Sequence, residues 1–266
     1  MKQRTINAEL SLSGVGLHMG CASTLTLKPS AENTGIQFIR TDLPHKPMFK
    51  AIPQNVLSDH SISRCTTIGV ENAVVHTVEH FMSVLCGLGI NNVVVEVNAC
   101  ELPGLDGSGL EFLKAIQKVG IKEQNEKAEV FVVKEPIGVE KNESAIYIMP
   151  SEDFRVSYTL DYDHPFLRSQ FFSRLIDQHT FSRDIAPSRT FCLESEATQL
   201  KDGGLGKGAN YQNTLVMGEK GAVQNQLRFP DECARHKVLD FMGDLYLLGM
   251  PIRGHVYAIK SGHYLN

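Results

Sequence analysis

In the stretch DECARHKVLDFMGDLYLLG, Asp231 to Gly249 with Asp231 as its first residue, three side chains are spaced for metal chemistry. His236, Asp240 and Asp244 fall at i, i+4 and i+8. Side chains four apart on a helix are neighbours, so an imidazole and a carboxylate look out together, with a second carboxylate one turn on. Such a His/Asp pair offers two borderline-hard ligands to one divalent ion, and zinc suits them best. Read alone, the pair also fits a solvated polar face, because patterns this short recur by chance. HTVEH, His76 to His80, matches H-x-x-E-H and adds two imidazoles and a glutamate. Catalytic zinc takes three protein ligands and keeps one position for water. Two ligands from the late stretch and one histidine from the early one would meet that count, with the glutamate as base. His263, in the terminal KSGHYLN, stands in a Gly-flanked turn after a strand. Beside Asp244 it could serve as a general acid; alone it is an ordinary terminal histidine.

The elements that must position these groups are two helices and the strands around them. The late helix is expected over Asp231 to Leu248, with Val238, Phe241, Met242, Leu245 and Leu248 as its apolar face. Pro230 and the acids Asp231 and Glu232 mark its start, and Gly249 its stop. The early helix is expected over about Glu71 to Cys86, with Val74, Val78, Phe81, Met82 and Leu85 as its stripe. His76, Glu79, His80 and Ser83 then share its other side. Alternation predicts strands at Thr24–Leu27, Ile36–Ile39 and Asn92–Val97, and a short one near Thr66–Ile68. GVGLHMG (Gly14 to Gly20, carrying His18) and ELPGLDGSG (Glu101 to Gly109) read as turn-rich loops. Leu110 to Val119 reads as a shorter helix, and the polar segment Glu123 to Glu129 as a domain junction.

The second half of the chain starts over. Ala145–Ser151 echoes Thr24–Ser30, and Leu248-Gly249-Met250 echoes Leu88-Gly89-Ile90. In the latter register His236 falls on His76 and Asp240 on His80. The expected fold is therefore α+β: two repeated domains of similar topology, residues 1–125 and 126–266, each a sheet layered against helices and related by a pseudo-twofold. Their equivalent helices would confront one another at the junction, where clefts hold small-molecule sites. The second half carries extra residues, and Phe191 to Met217 has the pattern of a β-α-β insert. Its GGLGKGAN segment lacks the G-x-x-x-x-G-K-[ST] spacing of a phosphate cradle and reads as a mobile loop.

Composition bounds the rest. The 266 residues are 42% hydrophobic and 21% charged, with net charge −4, which is ordinary globular composition. The mild acidity argues against a nucleic-acid partner or a basic membrane patch. No apolar run approaches a membrane span and the N-terminus lacks an apolar h-region, so a cytoplasmic chain without signal peptide or membrane insertion is expected. The six cysteines are scattered and read as buried thiols.

HTVEHFMSVL, SRTFCLE (Ser188 to Glu194), HKVLDFMGDLYLLG and KSGHYLN, in this order, resemble the bacterial zinc-dependent UDP-3-O-acyl-N-acetylglucosamine deacetylases of lipid A synthesis. GVGLHMG and the LDGSG loop are similar to that family's early motifs, so the likeness covers nearly the whole chain. It implies two α+β domains with the active site between them, and one Zn2+ held by His80, His236 and Asp240. It implies Glu79 as catalytic base, His263 as second acid–base residue oriented by Asp244, and Thr190 at the oxyanion. Lys237, Phe191 and Gly262 would contact a UDP-linked acylated sugar, with the insert guiding the acyl chain. His18 would lie near the cleft mouth, His76 would be structural, and Cys65 carries no assigned role. The chain would act as a monomer. Relatives usually run on past the histidine motif, some into a fused acyl-carrier-protein dehydratase. Two other readings remain open: an inverted-zincin peptidase with ligands His76 and His80, and a non-catalytic lipid- or nucleotide-binding protein.

Overall fold

In the computed structural model, residues 1–57 and 64–266 are described. The chain opens with β1 (Lys2–Ile6), β2 (Leu10–Val15), β3 (Ala22–Pro29), β4 (Ile36–Arg40) and β5 (Met48–Lys50). A hairpin of β6 (Thr67–Val70) and β7 (Ala73–His76) leads into α1 (Glu79–Leu88), β8 (Val93–Val97) and α2 (Leu110–Val119). Then come β9 (Ile121–Lys127), β10 (Phe131–Val132), β11 (Ile137–Lys141), β12 (Ser144–Met149), β13 (Phe154–Leu160) and β14 (Gln170–Leu175). A short turn, α3 (Gln178–Thr180), precedes β15 (Phe191–Leu193), α4 (Glu194–Asp202), β16 (Leu215–Gly218) and β17 (Gly221–Ala222). The long α5 (Glu232–Tyr246) and β18 (Ile252–Ile259) close the fold.

The fold is α+β, as expected. One sheet has the order β2-β3-β8-β4-β5, antiparallel except where β4 meets β8. The other has the order β11-β12-β18-β13-β14, antiparallel except where β13 meets β18, with β10 added beside β18. The two paths match strand for strand in order and sense. In each, a helix leads into the strand at its centre: α1 into β8, and α5 into β18. Alternation explains the strands: in β18, Ile252, Gly254, Val256 and Ala258 are buried while Arg253, Tyr257 and Ile259 face out.

Helices α1 and α5 pack on each other, and α5 also lies against β13 and β14. Phe81, Met82 and Leu85 of α1 and Val238, Phe241 and Met242 of α5 are all buried in one core. The approach is closest at Gly243, where an added Cβ would stand 1.9 Å from the carbonyl oxygen of Glu79. Only glycine allows the two backbones this near.

The early helix begins later than its periodicity suggested. The short strand expected near Thr66–Ile68 is β6, and residues 71–76, expected in the helix, complete its hairpin with β7. Glu71 (φ +50°) and Thr77 (φ +57°) are left-handed, which turns the hairpin and then breaks the chain between β7 and α1. Val74 is a half-buried strand residue between the buried Ala73 and Val75, and Val78 only caps α1, so the expected stripe joins two different elements. The polar segment read as a junction is mostly β9, hydrogen-bonded antiparallel to β1. Nearly every residue of β9 is solvent-facing, so it shows no alternation to read. Within Phe191–Met217, β15 and β16 pair in parallel around α4. The glycine-rich loop that follows α4, read as mobile, is tied to the first half: Lys207 N–H donates to the His18 carbonyl and Gly208 N–H to that of Leu17, both at 3.1 Å. All six cysteines are free.

Candidate metal centre and active site

Asp240 lies at the middle of α5, facing α1. Its Oδ1 is 3.2 Å from His236 Nε2, one turn back on the same helix, and 3.5 Å from His80 Nε2 across the helix contact. The two imidazoles meet edge to face at 4.8 Å between ring centres. All three side chains are buried, and their ligand atoms lie within 4.8 Å of one another. His236 Nδ1–H donates to the Ser188 carbonyl at 3.0 Å, which turns the Nε2 lone pair toward Asp240. Asp240 Oδ1 is buried and has no hydrogen-bond partner among the described residues. An orphaned carboxylate oxygen beside two imidazole nitrogens is what a divalent cation satisfies, and two nitrogens with one oxygen are a donor set suited to zinc. Asp240 Oδ2 accepts from Lys237 Nζ at 2.8 Å. Burial opposes ionisation of Asp240, yet His236 and Lys237 hold its carboxyl well below the usual range.

Two titratable groups flank this set. Glu79, the first residue of α1, is buried, and burial pushes its carboxyl up to about 8, with His263 opposing the shift and Asp244 and Asp240 adding to it. Its Oε2 accepts the backbone N–H of Thr66 at 3.0 Å. His263 follows β18, and its Nδ1 is 3.0 Å from Asp244 Oδ2. Burial would lower His263, but Asp244 outweighs it and the imidazole is raised to about 9. Its Nε2 faces Asp240 at 3.9 Å. Asp244 stands behind His263, one turn beyond Asp240, and Asn266 Nδ2 also donates to it at 2.8 Å. Glu79, Asp240 and His263 gather closely as well.

These groups line one cavity of about 520 Å³. Glu79, His80, His236, Asp240, His263, Thr190, Lys237, Phe191 and Gly262 form part of its wall, while Asp244, His76 and Cys65 lie off it. Thr190 is pinned by its backbone: its N–H donates to the Gly107 carbonyl and its carbonyl accepts from Leu215 N–H, both at 2.8 Å. The Phe191 ring stands against Tyr162 and His236 at 6.0 and 6.4 Å. Gly262 has open space where a side chain would be. Leu17, Leu200, Leu205 and Ala209 give the cavity an apolar side, while Arg64, Lys141 and Lys237 supply cations.

A model of the UDP-3-O-acyl N-acetylglycosamine deacetylase (LpxC) family matches residues 3–266. The chain belongs to this family. It is 40% identical to the UDP-3-O-acyl-N-acetylglucosamine deacetylase of Thermodesulfovibrio yellowstonii over 98% of its own length and 88% of that relative's. It is 38% identical to the enzyme of that name from Syntrophus aciditrophicus, over 99% and 83% of the two lengths. With the one from Chlamydia caviae it shares 39% identity over 99% and 94%.

Among the described residues, His76 and His80 do not form the ligand pair of an inverted zincin. His76 ends strand β7, with Nδ1 bonded to Thr67 Oγ1 at 2.8 Å, and it stands outside the His80–His236–Asp240 set. A ligand pair at i and i+4 needs one continuous helical turn, and Thr77 interrupts it.

Sequence reasoning missed several residues that hold the site. Ser188 acts through its backbone carbonyl, which any residue possesses. Arg189 and Glu232 form a buried ion pair, Nε to Oε1 at 2.9 Å, that joins the Ser188–Thr190 strip to the first turn of α5. Glu101 is buried and accepts the N–H groups of His18 (2.8 Å) and Met19 (2.7 Å) and the Thr77 hydroxyl (2.8 Å), so it sets the loop that brings His18 to the cavity. Its place at the head of a glycine-rich loop was its one visible sign.

Proposed function

We propose that this chain is a zinc-dependent amidase that removes the N-acetyl group of UDP-3-O-[(R)-3-hydroxyacyl]-N-acetylglucosamine, releasing acetate, in lipid A biosynthesis. The observation that carries the reading is the buried His80–His236–Asp240 set with Glu79 on one flank and the Asp244-bound His263 on another. The names of the relatives supply the substrate.

His80, His236 and Asp240 would hold the ion, which when bound supplies a Lewis acid that acidifies water and polarises a carbonyl. Glu79 accepts the proton of the attacking water; a base near neutral pKa is best matched to that work, and burial moves Glu79 there. The Thr190 hydroxyl donates to the oxygen of the acetyl carbonyl as negative charge develops on it. His263, held protonated by Asp244, gives its Nε2 proton to the leaving amine. Lys237 binds substrate from beside Asp240, with Phe191 and Gly262 against the hexosamine. The acyl chain runs along Leu17, Leu200, Leu205 and Ala209, and Arg64 and Lys141 stand where a diphosphate needs cations. The reading places a monomer in the cytoplasm. No helix among the described residues is long and apolar enough to cross a membrane.

The test is acetate release from the UDP-sugar by purified protein, before and after chelation and after zinc is restored. Release that chelation abolishes and zinc restores is expected. A zinc-loaded protein that releases no acetate, or a metal-free one that releases it undiminished, would overturn the reading.

A further inference from the structure

Thr66 lies just before β6, buried, and touches both proton-transfer residues at once. Its backbone N–H donates to Glu79 Oε2 at 3.0 Å. Its hydroxyl donates to Asp244 Oδ1 and stands 3.2 Å from His263 Nδ1. We propose that Thr66 is a positioning residue that sets the base Glu79 and the acid His263 relative to each other. The inference rests on the roles given above to those two side chains.

Counting hydrogens carries the argument. A threonine hydroxyl has one hydrogen, and here Asp244 takes it. Toward His263 the oxygen can therefore only accept, so His263 Nδ1 must carry a hydrogen, shared between Thr66 Oγ1 and Asp244 Oδ2 at 3.0 Å. Nε2, on the cavity side, is left as the position where a proton comes and goes. On the other arm, Glu79 Oε2 is occupied by the N–H, and Oε1 is left for the water. Both arms spring from one residue, so the spacing of base and acid is set by the covalent geometry of Thr66. Serine would keep the hydroxyl; valine has threonine's shape without it.

The experiment measures kcat and KM for acetate release, with zinc content and melting temperature, in Thr66→Val and Thr66→Ser holoenzymes. Losing a hydrogen bond to a charged group lowers kcat by about 10- to 100-fold. Thr66→Val is expected to show that loss with KM within about twofold and zinc retained, because the hydroxyl touches none of the ion's ligands and Thr66 does not itself line the cavity. Thr66→Ser is expected to recover most of kcat. Thr66→Ala, which adds no bulk, serves if the valine variant does not fold. Wild-type kcat in Thr66→Val, or a serine variant as slow as the valine one, overturns the inference, since methyl packing would then be the role. Glu79→Gln measured alongside separates the two levels. If it is as active as wild type, the functional reading fails and this inference with it; if it is inactive while Thr66→Val is not, this inference fails alone.

Discussion

Gly243 in α5 rests against the backbone of Glu79 in α1, so near that a single added methyl would lie 1.9 Å from the Glu79 carbonyl oxygen. That contact brings His80 within reach of Asp240, because His80 follows Glu79 and Asp240 precedes Gly243 by less than a turn. Gly243→Ala is expected to push the helices apart, with an overpacking cost of about 1–3 kcal/mol and weakened zinc binding. Urea unfolding and metal content check it; an unchanged midpoint with full zinc would remove this contact from the account.

The proposed ligand set makes a sharp contrast among His236, Asp240 and His76. His236→Ala and Asp240→Ala should each leave the purified protein short of zinc and inactive, whereas His76→Ala should keep its zinc, its side chain being spent on Thr67. Metal analysis decides the matter, and zinc retained in both of the first two variants would end the assignment.

Glu79→Gln keeps shape and a hydrogen-bond acceptor but loses the base. Zinc should stay bound while acetate release falls by about 10²- to 10⁴-fold, the usual worth of a positioned general base. A protein that only binds lipid or nucleotide would not need this carboxylate, so its loss with binding intact separates catalysis from binding.

The Arg189–Glu232 pair is buried and ties Thr190 and Ser188 to α5. Removing one partner leaves an uncompensated buried charge, so Arg189→Met or Glu232→Gln should cost about 3–5 kcal/mol of stability. The double variant should cost less than the two singles together. Additive losses in urea unfolding would mean that the two side chains do not act as a pair.

Burial raises the Cys65 thiol to about 12, with the Glu79 charge adding to it. At pH 8 its thiolate fraction is then about one part in ten thousand. Iodoacetamide should spare Cys65 in the native protein and label it once urea unfolds the chain, and labelling should quicken about tenfold per pH unit while the fold holds. Peptide mapping of the native protein shows the result, and rapid modification at pH 8 contradicts it.

Much was legible in the residues alone. The helix of His236, Asp240 and Asp244 could be read because its apolar stripe and its polar spacing both follow the 3.6-residue period, which is local physics. Strands in both halves could be read from alternation, and two five-strand paths run in the same order. The start of α1 could not, since the apolar run at residues 73–75 and Val78 fits strand and helix alike until Thr77 turns the chain. Nor could the supports at Thr66, Ser188, Glu101 and Arg189–Glu232, which act through backbone groups or through partners distant in the chain. Local periodicity thus determined which helix could carry ligands and that His236 and Asp240 share one of its faces. Only the folded chain decided that His80 meets Asp240, that His263 leans on Asp244 and that His76 stays apart, because a ligand set drawn from two helices exists only once burial of their apolar faces has pressed them together.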